Sequence, residues 1–246
     1  MKILALDSSG LVASVAITED GNLIADYTVN YKKTHSQTLL PMLQEIKDMV
    51  ELDLESVDAI AIAAGPGSFT GLRIGSATAK GLGLALNKPI VEIPTVDGLA
   101  YNLYGTNKYV CPIMDARRNQ VYTGIYKFVN ETVEGAEITS VMEVVKAQCA
   151  VDISEIIEEL NGLGGEVVFL GDGVPVFKDR IANELKVPYA FAPAHQNRQR
   201  ASAVAALAEI YYKEGKMVSA KDHGPDYLRL SQAERERMEQ DGANGK

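Results

Sequence analysis

The order of predicted secondary-structure elements occurs twice along this chain, and this repetition limits the fold more than any single motif does. In each half a short apolar strand ends in an aspartate, Asp7 or Asp115, and the two lie 108 residues apart. A later strand in each half ends in a glycine-containing triplet, 65–67 or 171–173, and these lie 106 residues apart. Agreement in element order over about 90 residues indicates an internal duplication.

The duplication divides the chain into two predicted lobes, 1–106 and 107–215, and a C-terminal tail, 216–246. The turn-rich sequence YGTNK, 104–108, marks the boundary between the lobes. Apolar periodicity predicts helices over 35–50, 72–86, 96–103, 153–160, 174–185 and 198–213. The predicted strands span 2–6, 13–18, 23–29, 57–64, 89–93, 109–114, 120–128, 167–170 and 189–191.

Composition narrows the class of protein. The 246 residues are 46% hydrophobic and 23% charged, which is typical of a globular protein with a sizeable core. The net charge of −9 disfavours unaided binding of nucleic acid, which needs clustered lysines and arginines. Cys111 and Cys149 have no CxxC spacing and are typical of thiols in a reducing compartment. Because no apolar run is long enough to span a membrane, we expect a cytoplasmic protein with no membrane association.

The stretch GPGSFTGLRIGSATAKGLGLAL, 65–86, contains six glycines. It lacks the Lys-Ser or Lys-Thr of a Walker A loop and the G-x-S-x-G of a nucleophile elbow. Gly75, Ala79 and Gly83 recur at i, i+4 and i+8 and form a smooth stripe on a helix. This stripe allows the close approach of another helix, either a neighbour in the same lobe or a helix of a partner.

The repeated β-β-β-α-β-α-β-α unit resembles the duplicated ribonuclease-H-like fold of actin, the sugar kinases and the Hsp70 ATPases. The expected fold class is therefore α/β, with two lobes of this type. In that superfamily a nucleotide lies between the lobes, and two β-hairpin turns hold its phosphates. The corresponding turns here are DSSG, 7–10, and DARRN, 115–119.

Four segments narrow the resemblance further. ILALDSS, the glycine-rich stretch 65–86, MDARRNQVY and GDG together resemble the TsaB (YeaZ) family of the glycoprotease/TsaD-like group, over most of 1–230. PDYLR, 225–229, resembles the C-terminal end of that family. These proteins serve the biosynthesis of threonylcarbamoyladenosine in bacterial tRNA.

The resemblance implies a non-catalytic subunit that binds and supports the catalytic subunit TsaD through first-lobe helices. TsaE then belongs to the same complex, and tRNA is bound only through that complex. Without its partner the chain can be a monomer or a homodimer. The last predicted helix, 198–213, is expected to pack back on the first lobe.

A nucleotide cleft between the lobes is the first candidate site. Asp7 and Asp115 either hold a magnesium-bound water or cap strand-end turns, and Arg117 either binds phosphate or is an exposed hairpin charge. ATP or ADP is then a ligand at a lobe or partner interface, and the chain itself requires no cofactor. The candidate nucleotide-binding residues are Asp7, Ser8, Gly67, Ser68, Asp115, Arg117, Gly171 and Gly173.

A docking surface for the partner is the second candidate site. The candidate interface residues are His35, Leu39, Leu43, Ile46, Gly75, Ala79 and Gly83. His35 lies at a helix start, where a histidine is more often a cap or an interface residue than a catalytic group. His195 and His223 lie in polar segments and are expected to be exposed to solvent.

Neither a metal site nor a catalytic residue is expected. TsaD carries an H-x-E-G-H metal motif where this chain has TVDGL, 95–99, so Thr95 and Leu99 stand in place of two histidines. A hydroxyl and an isobutyl group do not replace imidazole ligands. Two alternatives remain. The first is a sugar-kinase-like ATP phosphotransferase, which would need a phosphate loop in the second lobe, and no such loop is recognised in the sequence. The second is a glycoprotease-type peptidase, for which the sequence has neither an HEXXH motif nor a histidine pair.

Overall fold

The computed structural model describes residues 1–31, 33–132 and 138–228, which form ten strands, six α-helices and one short 3-10 helix, Leu54–Ser56. The first-lobe strands are β1 (Lys2–Asp7), β2 (Val12–Glu19), β3 (Asn22–Asn30), β4 (Ala59–Gly65) and β5 (Ile90–Pro94). The second-lobe strands are β6 (Tyr109–Asp115), β7 (Gln120–Thr132), β8 (Ile138–Asp152), β9 (Val167–Leu170) and β10 (Tyr189–Phe191). The helices are α1 (His35–Met49), α2 (Phe69–Leu86), α3 (Thr95–Tyr101), α4 (Ile153–Leu163), α5 (Val174–Glu184) and α6 (Ala201–Lys213).

The two sheets have the same topology. The first has the order β3-β2-β1-β4-β5, and the second has the order β8-β7-β6-β9-β10. In both lobes the first three strands are antiparallel, and the last two run parallel to the central strand. The predicted duplicated two-lobe α/β fold is therefore confirmed.

Each sheet is covered by helices on both faces. Along β1, Leu4 and Leu6 point towards α1 and α2, whereas Ile3 and Ala5 point towards α6. Helices α4 and α5 cover one face of the second sheet, and α3 packs on the other face. Because both faces are buried, the central strands consist of continuous apolar residues instead of an alternating pattern.

Helices α3 and α6 are exchanged between the lobes. Helix α3 follows the last strand of the first sheet, yet it packs on β6 and β7 of the second sheet. Helix α6 follows the second sheet and packs on β1, β2, β4 and β5 of the first. The facing side chains include Ala5, Ala61 and Ala205, and their small size lets α6 lie close to the sheet. The lobes are thereby joined by two helices that each cross to the opposite sheet.

A buried carboxylate lies at this crossing. The hydroxyl of Tyr126 on β7 donates to Oδ1 of Asp97 on α3 at 2.6 Å. Tyr211 on α6 donates to Oδ2 of the same carboxylate at 3.5 Å. Burial raises the pKa of Asp97, and the two hydrogen bonds oppose that shift. The contact thus connects one residue of each crossing helix with the second sheet.

The structure departs from the sequence prediction in strand β8, which no local pattern revealed. The strand lies at the edge of its sheet, and its pairing with β7 shifts register between Thr123 and Tyr126. These shifts disrupt the regular alternation of apolar and polar residues from which a strand is predicted. The last helix also starts later than predicted, at Ala201, because Arg200 has extended backbone angles.

The described part of the predicted tail, Lys216–Leu228, lies along the first lobe, and we call it the C-terminal strap. Val218 forms an antiparallel bridge with Ile90 at the open edge of β5. Residues 229–246, including Arg229 of the PDYLR segment, lie outside the described residues.

The buried contact of Asp97 makes a first prediction. We expect Tyr126→Phe to lower the free energy of unfolding by about 2 kcal/mol, because it removes a hydrogen bond to a buried carboxylate. Tyr104→Phe is the matched control, since its hydroxyl bonds Thr139 and Ser140 at an exposed position where water replaces it. Denaturant unfolding of both variants measures the difference. Equal losses of unfolding free energy in the two variants would contradict a stabilising role for the hydrogen bond between Tyr126 and Asp97.

Candidate functional site

A cleft of about 730 Å³ lies between the lobes, where β1, β4 and β6 have their carboxyl ends. This is the region where sheets with parallel strands commonly bind ligands. Both predicted hairpin turns contribute to its wall. Of the candidate residues, Gly67, Ser68, Asp115 and Arg117 line the cleft. The others, Asp7, Ser8, Gly171 and Gly173, are buried.

Asp7 caps the first-lobe turn. Its Oδ1 accepts hydrogen bonds from the backbone N–H and the hydroxyl of Ser9, at 2.9 and 2.7 Å. The residue is 2% exposed. Burial raises the pKa of the Asp7 carboxyl from its usual 3.8 to about 6, against the opposing effect of both hydrogen bonds. An ionised carboxylate at this position therefore destabilises the fold.

The glycine-rich loop closes over the same turn. The N–H of Ser68 donates to the carbonyl of Ser9 at 2.7 Å. A Cβ on Gly67 would lie 2.2 Å from that carbonyl oxygen, so no other residue fits there without a shift. The Ser8 hydroxyl donates to the carbonyl of Gly71 at 2.9 Å. The loop is thus a packing partner of the turn.

The second-lobe turn has an unusual backbone. Arg117, Arg118 and Asn119 all have positive φ angles, of 66°, 55° and 60°. Such angles are uncommon for residues with a side chain, and three in succession indicate local strain. Asp115 accepts from the N–H of Arg117 at 2.8 Å and pairs with its guanidinium at 3.1 Å. Asp115 is therefore a turn cap, as Asp7 is.

Beneath this turn lies the loop that follows β9. The N–H of Gly173 donates to the carbonyl of Ile113 at 2.9 Å, and that of Gly171 donates to the carbonyl of Asn197 at 3.0 Å. Asp172 accepts from the N–H of Asp115 at 3.2 Å. The GDG segment thus holds the end of β6 and the start of its turn through hydrogen bonds.

Three backbone N–H groups of the two turns already donate hydrogen bonds within the chain. The N–H groups of Ser9, Ala116 and Arg117 donate to Asp7, Gln120 and Asp115. The carboxylate of Asp115 is already paired with a guanidinium. A phosphate bound here would have to displace these bonds.

The glycine stripe of α2 faces inward, so its prediction as a docking surface is wrong. Ala79 is 0% exposed and belongs to the first-lobe core. A Cβ on Gly75 would lie 2.4 Å from Ser8 Oγ, and one on Gly83 would lie 2.8 Å from Ala220 Cβ. The small residues therefore make room for the β1–β2 turn and for the C-terminal strap.

The prediction that the apolar residues of α1 form a partner interface is also wrong. Leu39, Leu43 and Ile46 are buried in the same core and cannot meet a partner. The ring of His35 is half-buried at the cleft, and its Nε2–H donates to the carbonyl of Gly10 at 2.8 Å. Its Nδ1 is buried and has no hydrogen-bond partner among the described residues. Periodicity identified the apolar side of α1, and that side covers the sheet.

The opposite faces of the two helices are exposed. On α2, Ala77 and Gly81 point to solvent, and Leu84 is 57% exposed. On α1, Leu40 is 55% exposed and is followed by the exposed Pro41. We call this surface the outer helix face. Sequence reasoning missed it, although Ala77, Gly81 and Ala85 have the same i, i+4, i+8 spacing as the inward stripe.

The prediction that His223 is exposed is also wrong. The residue is buried between β5 and α2. Its Nδ1–H donates to Glu92 Oε1 at 2.6 Å, and its Nε2 lies 2.9 Å from Ser76 Oγ. Its polar sequence neighbours concealed this role, because Glu92 and Ser76 are distant in sequence.

The positions that would carry metal ligands are filled by packing. The hydroxyl of Thr95 accepts from the N–H of Gly65 at 3.1 Å, and Leu99 lies in the core between the lobes. Within the three described ranges, no His, Cys, Asp or Glu side chains form a group of three that could hold a metal ion. Every described helix is too short or too polar to span a bilayer.

Fold and cleft together define a two-lobe α/β protein with a duplicated sheet topology and a cleft between the lobes. The family model described as TsaD, tRNA N6-adenosine threonylcarbamoyltransferase, matches residues 22–237. The chain is 35% identical to the tRNA threonylcarbamoyladenosine biosynthesis protein TsaB of Bacillus subtilis, over 95% of this chain and 96% of the relative. It is 31% identical to TsaB of Escherichia coli, over 93% and 95%.

A solved structure agrees with these sequence relationships. YeaZ from Pseudomonas aeruginosa superposes with a TM-score of 0.74 at 26% identity, over 92% of this chain and 99% of that one. The chain therefore belongs to the TsaB (YeaZ) family, within the wider group of TsaD-like proteins.

The buried Asp7 carboxylate makes a second prediction. At pH 7 to 8 we expect Asp7→Asn to be more stable than the wild type by about 3 kcal/mol, since the amide oxygen accepts the same hydrogen bonds without a charge. The raised pKa means that the folded wild type binds more protons than the unfolded chain between about pH 4 and 6. Wild-type stability therefore falls as pH rises through that window.

Thermal and denaturant unfolding from pH 4.5 to 8 test this expectation. The stability gap between variant and wild type should narrow as the pH falls below 6. A gap that is constant across this range would contradict the assignment. Asp152→Asn is a suitable control, because hydrogen bonds from Ser154 lower the pKa of that carboxyl below its usual 3.8. Its titration therefore lies below the measured range, and its stability gap should stay constant from pH 4.5 to 8.

Proposed function

We propose that this chain is a non-catalytic subunit in the synthesis of threonylcarbamoyladenosine in tRNA, and that it binds and supports the catalytic subunit TsaD. The observation that carries the proposal is the match to the TsaD family model over most of the chain, together with the loss of both motif histidines. Thr95 and Leu99 occupy those positions and are packed into the interior. A chain of this kind keeps the fold of the catalytic subunit without its metal ligands.

The outer helix face is the surface that we assign to TsaD. Leu40 and Leu84 supply exposed apolar anchors, and Ala77 and Gly81 between them leave room for helices to approach. Because TsaD is homologous to this chain, it contains equivalents of α1 and α2. Two homologous helix pairs can meet around an approximate two-fold axis. The same face can join two copies of this chain when TsaD is absent.

The remaining components follow from this arrangement. TsaE and tRNA are reached through the complex with TsaD, since a chain of net charge −9 attracts little nucleic acid alone. The chain requires no cofactor of its own, and ATP or ADP belongs at a lobe or partner interface. Such a complex acts in the cytoplasm. The kinase alternative gains no support, since the N–H groups of Ser9 and Arg117 in the turns bond carboxylates of the chain itself. The peptidase alternative gains none either, since the sequence has no HEXXH motif.

A third prediction concerns the two faces of α2. Ala77→Arg places a long charged side chain on the outer helix face, and we expect the affinity for TsaD to fall about 100-fold or more. The melting temperature should stay near the wild-type value, because Ala77 is exposed. Ala79→Arg places the same group in the core and should destabilise the fold by at least about 3 kcal/mol.

Ala182→Arg on α5 is the matched surface control and should change neither property. Titration calorimetry with purified TsaD and thermal melts measure both quantities for each variant. Normal TsaD binding by a folded Ala77→Arg variant would show that the partner docks elsewhere.

A fourth prediction concerns chemistry. The purified chain should contain no stoichiometric zinc or iron and should hydrolyse ATP far more slowly than the roughly 1 per second of an ordinary enzyme. Elemental analysis and a phosphate-release assay measure these quantities. One bound metal per chain, or ATP turnover that Asp7→Asn abolishes, would overturn the non-catalytic assignment.

A further inference from the structure

The C-terminal strap is held by a few apolar side chains and by polar contacts. Of its residues Lys216–Leu228, only Ala220 and His223 are buried. Ala220 fills the space above Gly83 of α2. Met217 and Val218 are half-buried and pack against the first-lobe core. The other strap residues are exposed or half-buried, so the apolar core contacts are confined to 217–220.

His223 is the principal anchor. Its side chain is fully buried between β5 and α2. The ring connects Glu92 on β5, at 2.6 Å, with Ser76 on α2, at 2.9 Å. Lys80 on α2 adds a contact on the solvent side, where its Nζ donates to the carbonyls of Lys221 and His223 at 2.7 and 3.1 Å.

Two backbone contacts determine the path of the strap. The N–H groups of Val218 and Ile90 each donate to the carbonyl of the other residue at 2.9 Å. Farther along, the N–H of Asp226 donates to the carbonyl of Ala64 at 2.8 Å. Ala64 is near the carboxyl end of β4, so the strap covers a strand end that opens into the cleft.

The end of the strap forms part of the cleft wall. Asp226, Tyr227 and Leu228 line the cleft. The ring of Tyr227 lies 4.8 Å from that of Phe69, and its hydroxyl accepts from Arg73 Nε at 3.2 Å. The Asp226 carboxylate accepts from Gln148 Nε2 of the second lobe at 3.4 Å. The strap thus reaches across the cleft from the first lobe to the second.

We propose that the C-terminal strap is a latch that closes the cleft at the carboxyl end of β4 and opens as a unit when the His223 anchor is released. Opening breaks the bridge to Ile90 and the contact with Ala64, and it removes Tyr227 from the cleft wall. The core of the first lobe persists, because β1, β4 and α2 pack through Leu4, Ile62 and Ala79, whereas the strap adds only Val218 and Ala220 to this cluster.

Native-state hydrogen exchange of the isolated full chain tests the latch. The reporters are the backbone N–H groups of Val218, Ile90 and Asp226, and that of Ala61 in the centre of the first sheet is the reference. In the wild type the reporters should exchange at least about tenfold faster than the reference. Equal protection of all four groups would overturn the proposal, since the strap would then open only with the whole lobe.

The anchor is tested with His223→Ala. Loss of both hydrogen bonds should accelerate exchange at the reporters about 100-fold, and the reporters should still exchange at least about tenfold faster than Ala61. His195→Ala is the matched control, because that histidine lies in an exposed loop. Unchanged reporter rates, or reporters that no longer exchange faster than Ala61, would overturn the role of His223.

Ser76→Ala provides a milder test in case the first variant does not fold. It removes one of the two hydrogen bonds and keeps Glu92, so the reporters should accelerate about tenfold. Trypsin cleavage after the exposed Lys216 and Lys221 should increase in the same order across the variants. Cleavage rates that do not follow the exchange rates would also count against a segment that opens as a unit.

Discussion

The rest of the structure depends on the packing of α3 and α6 across the boundary between the two lobes. Each helix packs on the sheet of the other lobe, and the Asp97 carboxylate connects α3 with β7 and α6. This arrangement fixes the two lobes relative to one another. The turns after β1 and β6 therefore face each other across one cleft, although they are far apart in the sequence.

Small residues on both sides of α2 explain how one helix serves several neighbours. Its inner side admits the β1–β2 turn at Gly75 and the C-terminal strap at Gly83. Its outer side presents Ala77 and Gly81 to solvent. Ser76 and Lys80 hold the strap, so the helix that we assign to partner docking also carries the anchors of the cleft wall.

The sequence was most informative where local chemistry repeats. Element order predicted the duplication, and the strand ends at Asp7 and Asp115 located both turns of the cleft. It was less informative for α2, because Gly75-Ala79-Gly83 and Ala77-Gly81-Ala85 have the same spacing on opposite sides of the helix. Hydropathy does not distinguish the buried side of a helix from the exposed side when both sides carry small residues. Strand β8 escaped notice because register shifts interrupt its pattern.

The sequence by itself determined the two-lobe α/β fold and the family, and it predicted that Thr95 and Leu99 stand in place of two metal-binding histidines. These depend on residue identity and on spacing along the chain. Only the tertiary structure decided that the glycine stripe faces inward, that His223 is buried against Glu92 and Ser76, and that the strap closes one end of the cleft. Those outcomes depend on contacts between residues more than 60 positions apart, and such contacts leave no periodic signal in a single sequence.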